Sequence, residues 1–462
     1  MKYISTRGGI EPVGFKDAVM MGLATDGGLL LPETYPRFSI DEITSWRDLT
    51  YQQLAFRIIA PFASEIPADD LKDLIDRSYA TFTEPAITPL VSKGGISILE
   101  LFHGPTYAFK DVALQLLGNL FEYLLKERGE KMNIVGATSG DTGSAAIYGV
   151  RGKDNINIFI LHPHGRTSKI QALQMTTVTD PNVYNIAVHG TFDDCQNIVK
   201  QMFSDIPFKQ KHSLGAVNSI NWARVLAQVV YYFHAWLKVT ADGQKDVAFS
   251  VPTGNFGDIF AGYVARKCGL PIKKLILATN ENNILTRMVK SGDYSKGEVV
   301  ATISPSMDIQ VASNFERYLF HLFGESPARV NAAIEEFSAN SRMTFTSEEM
   351  ATIQNDFSSI SVNRDETLAT IADFEKAYGY TLDPHTAVGV KAAYDSGLKD
   401  STALVALATA HPAKFGDAVI AATGHEPVYP SGLQGLDNLP SRCEIMNADY
   451  SSIRAFVESH AV

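Results

Sequence analysis

The sequence contains little cysteine and no excess of positive charge, and each shortage excludes a class of protein. Cys195, Cys268 and Cys443 are scattered and follow no CxxC or Cys/His spacing, so we predict neither a disulfide framework nor a metal site. The formal net charge of -11 argues against a nucleic-acid or anionic-membrane partner.

Long hydrophobic runs are also missing. The longest one, residues 225–237, is too short to span a membrane and contains Gln228 and His234. The opening MKYISTRGG lacks the apolar core of a signal peptide. We therefore expect a cytoplasmic protein without a membrane partner.

The chain is long and apolar enough for several domains, with 462 residues of which 45% are hydrophobic. Apolar runs alternate with helical patterns from about residue 95, which predicts an α/β fold with mostly parallel sheets. We predict an N-terminal α-rich domain over residues 1–90 and two α/β domains over 91–240 and 241–462. The last domain would carry a helical insertion at about 325–380.

One lysine stands out within residues 97–125. A short apolar run ends at a Gly-Pro turn, and the apolar residues that follow have the i, i+3, i+4, i+7 spacing of a core-facing helix. Lys110 lies in the first turn of that helix, beside its apolar face. Burial and the helix N-terminus both lower the pKa of a lysine. A neutral amine condenses with an aldehyde to form a Schiff base, the entry step of pyridoxal phosphate (PLP) chemistry.

Simpler interpretations of Lys110 remain open at this point. Its side chain could extend to solvent, or pair with Asp111 or Glu100. Lys16 stands in a second FKD triplet, but no strand and turn lead into it. We predict that Lys16 is a surface or cap residue.

Two strand-loop-helix junctions have the composition of anion sites. The first, VGATSGDTGSAA, covers residues 135–146, and the second, VPTGNFGD, covers residues 251–258. Glycines let backbone N–H groups turn toward a ligand, and the following helix adds its dipole. Neither loop completes a P-loop or dinucleotide motif. Each alone is equally consistent with a structural turn, but two such loops indicate two anionic groups.

A third element is the apolar run LVALA, which ends at Thr409 and is followed by AHPAKF. Considered alone, Thr409 is typical of a strand end that satisfies its own backbone, and His411 of a core or loop histidine. In a cofactor site, a neutral hydroxyl facing a pyridine nitrogen would leave that nitrogen unprotonated.

Four stretches in this order and spacing resemble the threonine synthase family of bacteria and fungi: HGPTYAFKDVALQ, VGATSGDTGSAA, VPTGNFGDIFAGYVA and ATAHPAKF. The opening TRGG with GLATDGGLLLPE is similar to the same family. The resemblance implies the tryptophan synthase β fold, which is fold type II among PLP enzymes. It also implies a PLP-dependent lyase that converts O-phospho-L-homoserine and water to L-threonine and phosphate.

The resemblance further implies roles for single residues. Lys110 would bind PLP and act as the catalytic base, and Thr409 would face the pyridine nitrogen. The cofactor phosphate would be held by the backbone N–H groups of Gly254, Asn255, Phe256 and Gly257. The acid Asp258 would cap the helix there or order water. A second set would surround the substrate carboxylate and the phenolic oxygen of PLP: Ser139, Gly140, Asp141 and Thr142. Related enzymes often have asparagine where Asp141 stands, which leaves its role open.

The substrate phosphate requires cations or dipoles. Two stretches, 164–169 and 218–224, offer them, and each could equally be a solvated face. Arg224 is favoured because an arginine within an apolar helix pattern needs an anionic partner, and Asn218 would bind substrate near it.

Two other functions remain open. An O-phosphohomoserine phospholyase or threonine dehydratase-like lyase would release a 2-oxo acid with the same fold and cofactor. A catalytically silent protein could bind a small molecule on the same scaffold. A monomer and a homodimer are both compatible with the sequence.

Overall fold

Two sheets built mainly from parallel strands form the frame of the molecule, and helices cover them. The computed structural model describes residues 1–138, 140–241, 246–399 and 401–462. This architecture confirms the predicted α/β fold.

The N-terminal part contains more helix than strand. Two short antiparallel strands and four helices follow one another there: β1 (Tyr3–Ser5), α1 (Phe15–Met21), β2 (Leu30–Pro32), α2 (Ile40–Ser45), α3 (Tyr51–Ile59) and α4 (Ala68–Tyr79). Thr50 and Gln53 form a capping box that starts α3, and Leu54 and Ile58 lie on its buried face. Lys16 lies in α1 and forms an ion pair with Glu127, as expected for a surface residue.

The larger sheet has six strands, parallel except for one antiparallel edge pair. In spatial order they are β13 (Phe357–Ser361), β10 (Ile272–Thr279), β9 (Val247–Pro252), β14 (Ala403–Ala408), β4 (Ile96–Glu100) and the antiparallel edge strand β3 (Leu90–Lys93). All six residues of β9 are buried, because helices cover both faces of a parallel sheet.

The second sheet has five parallel strands. In spatial order they are β15 (Glu444–Asn447), β7 (Val183–His189), β6 (Ile156–Pro163), β5 (Met132–Ala137) and β8 (Leu214–Gly215). A small antiparallel pair, β11 (Tyr294–Ser295) and β12 (Arg342–Met343), lies apart from both sheets. The C-terminal strand β15 therefore completes a sheet whose other strands come from the middle of the chain.

The remaining helices connect and cover these strands. Six precede β9: α5 (Lys110–Arg128), α6 (Asp141–Val150), α7 (Lys169–Thr176), α8 (Phe192–Ser204), α9 (Ile206–Lys211) and α10 (Trp222–Val239). Those that follow it in the described residues are α11 (Gly257–Lys267), α12 (Ile284–Ser291), α13 (Phe315–Leu322), α14 (Pro327–Asn340), α15 (Ser347–Asp356), α16 (Arg364–Tyr378), α17 (Pro384–Asp395), α18 (Gly416–Thr423) and α19 (Tyr450–His460). Short 3-10 turns cover Pro305–Met307, Pro412–Phe415, Ser431–Leu433 and Leu436–Asn438.

Helix α10 runs through the centre of the main core. Every residue from Trp222 to Leu237 is buried, and the helix packs against α3, α5 and α11. Within the described parts of the chain, none of the helices is both long and apolar enough to cross a membrane. Helix α10 is thus a core helix, as its sequence predicts.

The sheets do not follow the predicted domain boundaries closely. Strands β3 and β4 join the sheet of the C-terminal half, and one continuous core includes residues of the N-terminal helices, α5 and α10. The predicted insertion at 325–380 also supplies β13, an edge strand that the pattern did not indicate because its sequence FSSIS is short and half polar. The division into three domains stays a prediction.

Candidate active site

Three predicted motifs come together at the carboxyl ends of three neighbouring strands of the six-stranded sheet. Strand β4 leads to Lys110, β9 leads to the loop before α11, and β14, which lies between them, ends just before Thr409. The carbonyl of Thr409 accepts a hydrogen bond of 2.8 Å from the Phe109 N–H, which ties the end of β14 to the start of α5. Parallel sheets bind ligands at this edge.

Lys110 is the first residue of α5 and is only 8% exposed. Its Nζ donates a hydrogen bond of 3.3 Å to Ser306 Oγ and lies 3.6 Å from Asp141 Oδ2. Burial lowers the pKa of Lys110, and the nearby cations Lys414 and Arg224 lower it further against the opposing effect of Asp141. The direction of this shift agrees with the prediction from sequence.

The simpler partners considered for Lys110 are engaged elsewhere. Asp111 accepts hydrogen bonds from the N–H and hydroxyl of Thr106, at 2.8 and 2.7 Å. Glu100 accepts from the Tyr380 hydroxyl at 2.6 Å and lies 2.7 Å from His103. Lys110 therefore points neither to these acids nor to open solvent.

The loop before α6 turns sharply at Gly140, whose φ of 152° lies in the region that favours glycine. A Cβ at this position would meet the Gln171 side chain at 2.5 Å. The hydroxyl oxygen of Thr138 accepts hydrogen bonds from the N–H groups of Gly140 and Gly143, which fixes the turn. Thr142 is half-buried, and Ser139, also predicted here, lies outside the described residues.

Asp141 begins α6 and faces two lysines. Its Oδ1 lies 2.9 Å from Lys414 Nζ and accepts a hydrogen bond of 2.8 Å from Gln171 Nε2. Burial alone would raise the pKa of Asp141, but the attraction of Lys414 and Lys110 outweighs burial and holds this pKa well below its usual range. The side chain is therefore a carboxylate held between two lysine side chains.

The loop before α11 has an unusual backbone. Phe256 adopts the left-handed conformation with φ of 63°, and its ring is buried against Phe315 and Phe357. A Cβ on Gly254 would meet the backbone carbonyl of Ser306 at 2.5 Å. The carbonyl of Asn255, the other predicted loop residue, accepts hydrogen bonds from Asn314. The loop is thus fixed by packing and hydrogen bonds, with Gly257 as the first helical residue.

Asp258 does not cap α11, so that part of the sequence prediction is wrong. Its Oδ1 accepts hydrogen bonds from the hydroxyls of Tyr231 and Tyr232 on α10, while its Oδ2 has no partner among the described residues. Burial raises the pKa of Asp258 to about 7. The side chain turns toward α10 because the tyrosines satisfy it there, whereas the helix start has no side-chain cap.

Three family models match the chain in sequence order. They describe a threonine synthase N terminus over residues 2–79, a pyridoxal-phosphate dependent enzyme over 86–339, and a threonine synthase C-terminal part over 386–457. The threonine synthase of Pseudomonas aeruginosa is 48% identical over 100% of this chain and 98% of its own length. The chain belongs to the threonine synthase family.

Other members of the threonine synthase family support the same assignment. The threonine synthase of Saccharomyces cerevisiae is 48% identical over 99% of this chain and 97% of its own. A crystal structure of PLP-bound threonine synthase from Brucella melitensis matches with a TM-score of 0.97 and 48% identity, over 100% of this chain and 99% of that one. The predicted family, the fold type and PLP as cofactor are confirmed.

Arg224 lies on α10 and is 5% exposed. Its Nε and Nη1 have no hydrogen-bond partner among the described residues, and burial lowers the pKa of this guanidinium to about 10. A buried guanidinium without a partner is costly, and an anion would satisfy it. Asn218 is exposed in the turn before α10, and the other basic stretch, 164–169, is also mostly exposed.

Several residues of this site were missed from sequence. Ser306 contacts Lys110, and its N–H donates to His385 Nε2 at 3.2 Å. Asp383 lies 2.8 Å from Nδ1 of His385, which fixes the ring. Lys414 stands in the AHPAKF stretch, where His411 caps the 3-10 turn that carries it. Nothing in the sequence around these residues marks them, because their partners are distant in the chain.

The side chains and backbone present fit PLP. Lys110 supplies a buried amine whose pKa is lowered, as covalent binding of an aldehyde requires. Gly254 lets the loop pass close to the Ser306 carbonyl, which a Cβ would meet at 2.5 Å, and the loop leads into the start of a helix, where a phosphate binds well. Arg224 leaves two buried donors for a further anion.

Proposed function

We propose that the chain converts O-phospho-L-homoserine and water to L-threonine and phosphate, with Lys110 as the catalytic residue. The observation that carries this proposal is the buried Lys110 amine, 3.3 Å from Ser306 Oγ and 3.6 Å from Asp141 Oδ2, where three strand ends meet. Family membership supports the reaction, since the sequence relatives span its full length.

When bound, PLP supplies an aldehyde that takes up amines and a ring that withdraws electrons from the substrate Cα. We assign the Lys110 amine to the aldehyde and the Thr409 hydroxyl to the pyridine nitrogen. The backbone N–H groups of the loop before α11 are assigned to the cofactor phosphate: Gly254, Asn255, Phe256 and Gly257. Asp258 contributes behind this loop by binding the tyrosines of α10.

Lys110 performs the proton transfers in this proposal. Its Nζ, once free of the cofactor, takes the proton from the substrate Cα and returns it at the end of the cycle. Burial favours the neutral amine that accepts the proton, and the Asp141 carboxylate stabilises the ammonium that results. The same side chain can therefore act as base and as acid.

The substrate anions need separate partners. We assign the substrate phosphate to Arg224, because its guanidinium is buried and has unpaired donors. Asn218 would contact the substrate from the preceding turn. The loop at the N-terminus of α6 would surround the substrate carboxylate: Ser139, Gly140, Asp141 and Thr142. Asp141 would act there through Lys110 and Lys414, since a bare carboxylate would repel the substrate.

The decisive experiment supplies the purified holoenzyme with O-phospho-L-homoserine and separates the products. We expect L-threonine and phosphate in equal amounts, and no 2-oxobutanoate. Formation of 2-oxobutanoate in place of threonine would instead make the protein a phospholyase. A protein that binds PLP without any turnover, or stays colourless when PLP is added, would point to a silent binding protein.

We also propose a cytoplasmic location, a monomer or homodimer, and the three-part domain division. All three cysteines are free thiols, and two of them, Cys195 and Cys268, are buried, which suits a reducing compartment. Light scattering of the holoenzyme after gel filtration distinguishes one copy from two.

A further inference from the structure

Lys414 is a fully buried lysine with a fixed set of partners. Its side chain has no exposed surface, its Nζ lies 2.9 Å from Asp141 Oδ1, and it donates a hydrogen bond of 2.7 Å to the carbonyl of Thr106. Lysine is rarely buried without an anion. The partner anion here is Asp141, which also faces Lys110.

The two lysines hold Asp141 unequally. Lys414 and Gln171 both bind Oδ1, at 2.9 and 2.8 Å, whereas Lys110 lies 3.6 Å from Oδ2. Lys414 is thus the tighter partner of the carboxylate. Gln171 and Lys414 fix one oxygen and leave the other directed toward Lys110.

This division matters because Lys110 changes its charge during the proposed reaction. If Lys110 were the one cation beside Asp141, each neutral state of Lys110 would leave a buried carboxylate unpaired, which is strongly unfavourable. Lys414 removes this penalty, since it stays paired with Asp141 while Lys110 gains and loses a proton. Thr106, the other partner of Lys414, lies in the turn that leads into α5.

We propose that Lys414 is a positioning residue: it serves as the permanent counter-ion of Asp141, so that Asp141 stays ionised and oriented while Lys110 changes its charge. The proposal deepens the function proposed above and rests on it for the role of Lys110. In this proposal Lys414 contacts neither substrate nor cofactor, and it acts through Asp141.

The charged and titratable groups that face Lys110 come from several elements. They are Asp141 on α6, Lys414 on its 3-10 turn, Arg224 on α10, and the His385–Asp383 pair behind Ser306. Replacing Lys414 by methionine leaves the negative charge of Asp141 uncompensated, which favours the protonated nitrogen at Lys110. Replacing both Lys414 and Asp141 removes the opposing charges together.

The test compares holoenzymes of the native protein and of the variants Lys414→Met, Asp141→Asn and Lys414→Met/Asp141→Asn. The first readout is the pH midpoint of the visible absorption of bound PLP. We expect the midpoint to rise by about one pH unit in Lys414→Met, to fall in Asp141→Asn, and to return to within half a unit of native in the double variant.

The second readout is steady-state kinetics. We expect kcat of Lys414→Met to fall by about 10- to 100-fold with KM within about threefold of native, and the double variant to recover about tenfold in kcat. Lys16→Met removes a lysine from a surface ion pair and should change neither readout. If Lys414→Met does not fold, the absorption midpoint and kcat of the double variant are compared with those of Asp141→Asn, which isolates the loss of Lys414.

Two results would overturn the proposal. One is a folded Lys414→Met holoenzyme whose absorption midpoint stays native. The other is a double variant whose fold-loss in kcat equals the product of the two single fold-losses, with no recovery relative to Lys414→Met. The absorption readout is independent of the product formed, so a shifted midpoint supports Lys414 even if the protein releases 2-oxobutanoate, and threonine formation with an unshifted midpoint rejects Lys414 alone.

Discussion

The loops before α6 and α11 share one sequence plan, a strand, a glycine turn and an acid in the first helical turn, yet the two acids are held in opposite ways. Asp141 faces Lys110 and Lys414, and these cations keep its pKa well below the usual range. Asp258 faces Tyr231 and Tyr232, and burial raises its pKa to about 7.

The difference shows which physical effect decides the pKa of each acid. Both acids lie at a helix N-terminus, where the helix dipole favours the ionised form by about 0.3–1 kcal/mol. Burial and direct ion pairs have larger effects on a buried carboxylate. The charge of each acid is therefore decided by the element packed against it: two lysines for Asp141, and two tyrosines of α10 for Asp258.

The largest expected effect is the loss of Lys110, which lies beside the acid of the first loop and not beside that of the second. We expect Lys110→Ala to lower turnover by about 10⁴-fold or more, since both the cofactor amine and the base are removed. Phosphate release measures this, with Lys16→Ala, the lysine of the second FKD triplet, as the matched control. Native turnover in Lys110→Ala would contradict the site as described.

Arg224 offers the next largest effect, and it separates activity from stability. Arg224→Met should lower kcat/KM by about 10²–10³-fold, because the proposed phosphate partner is lost. The same change removes an unpaired buried charge, so the substrate-free variant should be more stable by about 1–3 kcal/mol. Steady-state kinetics and denaturant unfolding check the two parts.

A loss of stability together with native kcat/KM would show that Arg224 serves the core and not the substrate. Lys238→Met, on the same helix but in its last turn, controls for loss of a cation from α10.

Alanine substitutions of Gly254 and Gly140, one in each loop, should weaken the binding of different ligands. Gly254→Ala would meet the carbonyl of Ser306, and we expect roughly tenfold weaker PLP binding. Gly140→Ala would meet the Gln171 side chain and strain a backbone with φ of 152°, and we expect mainly a higher KM. PLP titration and steady-state kinetics measure these, and identical defects in both variants would remove the distinction between the loops.

The smallest effects are the pH dependences of stability, which should differ in sign. The raised pKa of Asp258 means that the folded protein binds this proton more tightly than the unfolded chain, so its contribution is lost as pH rises from about 4 to about 7. The depressed pKa of Asp141 stabilises the fold above pH about 4, and this contribution is lost as pH falls below that value.

Unfolding free energies of Asp258→Asn and Asp141→Asn, each compared with the native protein across pH 3–8, measure the two slopes. Each is expected to reach up to about 1.4 kcal/mol per pH unit. The exposed Asp69→Asn is the control. Slopes of the same sign would mean that the two acids share one environment.

Local pattern predicted much of this molecule. The change from an apolar run to helical spacing located α5, and with it the buried position of Lys110, because both depend on neighbours within a few residues. Glycine turns between strands and helices located both loops for the same reason. These elements needed no knowledge of distant contacts.

Distant contacts explain what the pattern did not predict. Ser306 reaches Lys110 across 196 positions of the chain, and the tyrosines that hold Asp258 come from a helix 26 and 27 positions earlier. Strand β13 has only two apolar residues among five, so a sheet edge and a loop look alike in its sequence. Lys414 is recognisable only once Asp141 is known to lie beside it.

The strand order β9, β14, β4 has a consequence for how the protein is made. Strand β14, residues 403–408, is the neighbour of both β4 and β9, although about 300 residues separate it from β4 in the chain. Until residues 403–408 have emerged from the ribosome, β4 and β9 have no strand between them. We therefore expect Lys110 and the loop before α11 to take their final places, and vitamin B6 to bind, only after residues 403–408 have been made.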